Sequence, residues 1–128
     1  MQNYFIINDK LPSLNDYVDA CRASKHGSNR LKQDTEAFIC IEIHNAKIRK
    51  HLQPFSCPVF VRFEWHEKTQ RRDADNIAFA KKFILDAMQK SGIIPNDNRK
   101  YVKGFSDDII DDSRDFVIVK VFEYGKQQ

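Results

Sequence analysis

One stretch limits the fold more than any other. From Val61 to His66, within Val59-Phe60-Val61-Arg62-Phe63-Glu64-Trp65-His66, apolar and polar residues alternate. A period of two is that of a β-strand, whose successive side chains point to opposite faces. Val61, Phe63 and Trp65 therefore share one face and Arg62, Glu64 and His66 the other. Such a strand buries one side only, and the chain must supply a layer to cover it.

The material for that layer lies on both sides of the strand. Tyr4-Phe5-Ile6-Ile7 is a short apolar run suited to a first strand, ended by the loop Leu11-Pro12-Ser13-Leu14-Asn15. Ser13 is placed to cap a short helix through Tyr17, Val18, Cys21 and Arg22. A basic piece follows, with Arg22, Lys25, His26, Arg30 and Lys32 around Gly27 and Ser28. It reads equally as a phosphate-contacting loop or a solvated linker between helices. From about Ser28 to Leu52 the period is helical, with Leu31, Phe38, Ile41, Ile48 and Leu52 on one face and Ile39 and Ile43 widening it.

After the alternating strand, Glu67 to Gln70 is a polar turn into Arg71–Asn98, read as one central helix that Ser91-Gly92 stops. Lys100 to Phe105 reads as a weak strand, Asp107, Asp108, Asp111 and Asp112 as an acidic bend, and Phe116 to Phe122 as a last strand. The order β-α-α-β-α-β-β predicts a single α+β domain with helices packed against a small mixed sheet.

Composition narrows the class. A length of 128 residues fits one domain, and 30% charged residues with ten Phe fit a folded globular chain. The net charge of +3 permits a nucleic-acid partner without requiring one. No apolar run approaches the roughly 20 residues that span a bilayer, and MQNYFIINDK lacks the pattern of a signal peptide. Cys21, Cys40 and Cys57 have no paired spacing and read as reduced, mostly buried thiols. A cytoplasmic protein with no membrane partner is the expectation. His26, His44, His51 and His66 lack the spacing of zinc ligands.

The segment Arg71–Asn98 carries the chemistry. Asp73 and Asp75 stand one residue apart behind Arg71 and Arg72, and Asp97 lies in the closing turn. Asp-x-Asp-Asn at a helix start gathers hard oxygen ligands suited to magnesium, and the arginines suit a phosphate. Each aspartate alone also fits a plain role as an N-cap, a first-turn acid or a turn residue. At about 100° per residue, Asp75, Lys82 and Asp86 fall on one side of a continuous helix, opposite Ile77, Ala80, Ile84 and Met88.

These residues resemble the RusA family of Holliday-junction resolvases, small magnesium-dependent endonucleases. The resemblance rests on Arg72, Asp73, Asp75 and Asn76, then Lys82 four residues before Leu85-Asp86-Ala87-Met88, then Gly92, then Asp97 eleven residues after Asp86. Leu11-Pro12-Ser13-Leu14-Asn15 is similar to the family's N-terminal Pro-x-x-Asn turn. The family places its lysine four residues after the second aspartate; here Lys82 follows Asp75 by seven, an insertion of about one turn.

The resemblance implies that Asp73, Asp75 and Asp97 hold Mg2+, with Mn2+ as a substitute and no organic cofactor. Lys82 would assist catalysis, with Lys81 its neighbour off the stripe. The substrate would be a four-way DNA junction met by a homodimer, and such resolvases are often encoded in prophages. Arg71, Arg72, Asn15 and Asn76, with Arg22, Lys25, Arg30 and Lys32, are the candidate DNA contacts. Three alternatives stay open: a metal-dependent nuclease for other DNA or RNA structures, a non-catalytic branched-DNA-binding relative, and a small interaction domain.

Overall fold

The computed structural model describes residues 3–127. Its elements are β1 (Asn3–Ile7), α1 (Leu14–Ala23), α2 (Lys25–Ile48), β2 (Val59–Glu67), α3 (Ala74–Ala78), α4 (Lys81–Lys90), β3 (Val102–Asp111) and β4 (Phe116–Glu123). The four strands form one sheet in the order β1-β4-β2-β3. β4 runs antiparallel to both β1 and β2, while β2 and β3 are parallel. The fold is α+β with a mixed sheet, as the element order predicts.

The parallel pair explains where α3 and α4 lie. Two parallel neighbours need a crossover between them, and α3–α4 is that crossover. Asp73 and Asp75 thus sit just past the C-terminal end of β2, where ligands commonly bind in sheets built with such crossovers.

The core follows the alternation of β2. Val59, Val61, Phe63, Trp65 and Glu67 are buried, and the residues between them are half-buried. Phe5, Ile7, Val117, Val119 and Val121 extend the buried face across β1 and β4. Ile39 and Ile43 of α2 and Ile77, Ala80, Phe83, Ile84, Ala87 and Met88 of the crossover complete one cluster with it. The other face of the sheet keeps charge: Lys120 Nζ lies 2.7 Å from Glu64 Oε2, and His66 stacks on Phe116. A mixed sheet covered on one side only shows this division.

Several expectations need correction. The basic stretch is not a linker: α1 and α2 are joined through Ser24 alone, which ends one helix and accepts from Gly27 N–H to start the next. The buried stripe of α2 is Ser28, Thr35, Glu36, Ile39, Ile43 and Ala46, whereas Ile41 and Ile48 are 59% and 65% exposed. The acidic bend is also not a bend, because Asp107, Asp108 and Asp111 belong to β3. Cys21 is exposed rather than buried. Two readings hold in detail: Ser13 caps α1 in a reciprocal capping box with Asp16, and Gly92 takes the left-handed φ of 74° after α4.

The central helix is two helices. Between α3 and α4 the N–H groups of Ala80, Lys82 and Phe83 donate three residues back, to Ile77, Phe79 and Ala80. Such bonds wind the chain at about 120° per residue instead of about 100°, so each one turns later side chains by about 20°. The tightened turn lets Phe79 and Phe83 both face Tyr17 of α1, with ring centroids 5.5 and 6.1 Å away. Ala80 fills the remaining space and is buried.

Candidate functional site

The loop that delivers Asp73 is fixed by Arg72. Its Nε and one terminal nitrogen donate to the two oxygens of Glu67 at 3.0 and 2.7 Å, and its other nitrogen donates to Leu11 O at 2.8 Å. Glu67 is buried, so the pair is shielded from water. One guanidinium thereby joins the end of β2, the loop before α1 and the start of α3. Arg72, expected at a phosphate, is committed to the fold.

Asp73 is the N-cap of α3 by backbone position, but its side chain makes no capping bond. Asp75 lies in the first turn of α3. Both carboxylates are exposed and have no hydrogen bond or ion pair among the described residues. Beside them, Asn76 Oδ1 is buried without a partner. Magnesium is commonly held by one or two carboxylates, with waters and substrate phosphates completing its shell. The pair Asp73 and Asp75, hard oxygen donors left without protein partners, fits that requirement.

Asp97 stands elsewhere. Its side chain is hydrogen-bonded to Asp86 on α4, and its N–H donates to Gln89 Oε1 at 3.2 Å. Asp86 lies eleven residues beyond Asp75, about 16 Å along a helical path. No three His, Cys, Asp or Glu side chains among the described residues gather into a group able to hold a metal ion. The three aspartates therefore divide between the two ends of the crossover.

Asp86 is drawn into the fold more than a solvated stripe would allow. Burial raises its pKa, and the Asp97 carboxyl adds to this; Lys82 and Lys32 oppose it. Lys82 Nζ is 3.7 Å from Asp86 Oδ2 and Lys32 Nζ is 3.8 Å. Behind them Glu36, only 2% exposed, pairs with Lys90 and raises the pKa of that lysine.

The two lysines differ in kind. Lys82 is 64% exposed and loosely paired. Lys81 is tied to β3: its Nζ lies 2.6 Å from Asp107 Oδ2 and 4.4 Å from the centre of the Phe105 ring. The other oxygen of Asp107 accepts from Trp65 Nε1 at 2.9 Å.

The remaining candidate contacts are scattered. Asn15, Arg22 and Lys25 are exposed on α1 and the start of α2, and Arg71 is exposed beside Asp73. Arg30 pairs with Asp34 at the surface, and Lys32 is shared between Glu36 and Asp86. Sequence reasoning missed an open basic depression lined by Arg99, Lys100 and Lys103. The run Arg99-Lys100 directly after Asn98 is the signal that points to it.

The chain matches no protein-family model and no curated protein. Among the described residues no helix is long and apolar enough to cross a membrane.

Proposed function

We propose that the chain is a magnesium-dependent endonuclease of the RusA type, acting on four-way DNA junctions as a homodimer in the cytoplasm. The observation that carries this reading is the pair Asp73 and Asp75: two exposed carboxylates without protein partners at the end of β2, on a backbone anchored by the buried Arg72–Glu67 pair. The ordered resemblance from Arg72 to Asp97 supports it. The part of Asp97 rests on that resemblance alone.

In this reading Asp73 and Asp75 hold Mg2+, which when bound orients water and neutralises charge growing on phosphorus. The loosely held ammonium of Lys82 is free to turn from Asp86 towards a phosphate oxygen and stabilise negative charge there. Asn76 presents an unpartnered carbonyl oxygen beside the aspartates. Arg71, Arg22 and Lys25 supply exposed positive charge for the phosphate backbone. The test is incubation of the purified chain with a synthetic four-way junction and with a linear duplex of the same sequence, in Mg2+ and in a chelator. Cleavage of the junction only, in Mg2+ only, supports the assignment. Equal cutting of both substrates assigns a general nuclease, and binding without cutting in any divalent metal assigns a DNA-binding module.

A further inference from the structure

β3 is the longest edge of the sheet, ten residues with β2 as its only strand partner. Its outer backbone groups have no strand to pair with, a condition that proteins usually blunt or cover. Two large apolar side chains stand on it uncovered, Phe105 at 49% and Ile109 at 39% exposure. In the parallel register they align with Val61 and Trp65, so they continue the buried face of β2 beyond the reach of the helices.

The charges along this edge are self-complementary. Lys103 stands near its start, and Asp107, Asp108 and Asp111 follow towards its end. We propose that the free edge of β3 pairs antiparallel with β3 of a second copy of this chain, with Asp107 on the two-fold axis. A two-fold axis perpendicular to the sheet keeps each residue on its own face, so opposed residues must have numbers that sum to an even value.

A sum of 214 places Lys103 opposite Asp111 of the second copy and Phe105 opposite Ile109 of the second copy, each pair occurring twice. A shift of two residues either way sets Phe105 against an aspartate and leaves Lys103 without one. The meeting of two Asp107 side chains at the axis is offset by charge already in place, because each is held by its own Lys81 and Trp65. The result is a continuous eight-stranded sheet. The inference stands on the edge strand itself and is tested without any nuclease activity.

The experiment is sedimentation equilibrium of the full chain and of charge variants, with circular dichroism as a check on folding. The wild-type chain of 15.0 kDa sediments as a dimer of twice that mass. Lys103→Asp and Asp111→Lys each weaken dimerisation about tenfold or more, since each sets like charges opposite one another twice. The double variant Lys103→Asp/Asp111→Lys restores it. As a second reading of the register, Asp107→Cys forms a disulfide between copies on mild oxidation. A monomeric wild-type chain, or a dimer indifferent to the single variants, overturns the proposal. So does failure of the double variant to recover while it remains folded.

Discussion

Arg72 and Glu67 meet through two parallel hydrogen bonds, 3.0 and 2.7 Å long, in a place where Glu67 is almost closed to water. Only a planar guanidinium makes such a fork, and its third donor is spent on Leu11 O. The pair therefore fixes the position of Asp73 and Asp75 rather than a phosphate.

Removing one partner strands the other charge. Arg72→Ala is expected to cost about 3–5 kcal/mol, the usual scale for an orphaned buried carboxylate. Arg72→Lys recovers little of this, because an ammonium cannot bridge both oxygens and Leu11 O. Arg71→Ala, at an exposed position without an ion pair, leaves stability within about 0.5 kcal/mol and weakens junction binding. Chemical denaturation of the three variants checks this ordering.

Lys82 and Lys81 separate catalysis from structure. Lys82→Ala is expected to lower the single-turnover cleavage rate by about a hundredfold with little change in stability. Lys81→Ala removes the partner of Asp107 and a contact with Phe105, and is expected to cost about 1–3 kcal/mol while the variant that stays folded keeps most of its rate. Rates at saturating protein, with melting curves for both, decide between them. A larger rate loss at Lys81 would exchange the two roles.

The uncovered face of the sheet carries a pH dependence. Burial alone would raise the pKa of Glu64, but hydrogen bonds and charge from Lys120 and His66 together hold it below its ordinary value of 4.5. A carboxylate with a lowered folded pKa stabilises the fold above its unfolded pKa, and this contribution is lost as pH falls through the folded value. Glu64→Gln is therefore expected to be less stable than wild type at pH 7, by about 1 kcal/mol or less. The difference should close as pH falls through 4.5 and below. Melting temperatures of both proteins across that range test it.

What could be read from the sequence follows from where the information lies. β2 is legible because its alternation is strict, and Ser13 and Gly92 because caps depend on local chemistry. The face of α2 is not, because Ser28, Thr35 and Glu36 line it while Ile41 and Ile48 are left outside. Glu36 is buried only because Lys90, fifty-four residues away, reaches it. β3 resembles a turn in sequence since four aspartates crowd its end, yet Lys81 and Trp65 neutralise Asp107 and the parallel pairing with β2 extends the strand. The aspartates of the candidate site are legible as chemistry, but their separation is not. It depends on the tightened turn at Phe79 and on the contact of Asp97 with Asp86, neither of which spacing alone reveals.

The central claim is tested most directly by mapping the nicks on an end-labelled four-way junction, with wild-type protein and Asp75→Asn side by side in Mg2+. A neutral amide is a poor replacement for an anionic magnesium ligand, and loss of one negative charge favours phosphate binding. Wild type should produce paired nicks at symmetric positions on two opposed strands and leave linear duplex intact. Asp75→Asn should cut neither while binding the junction as tightly or slightly more so. Symmetric nicking that survives in Asp75→Asn, or a folded variant that loses binding in step with cleavage, would contradict the assignment of Asp73 and Asp75 as the metal-holding pair.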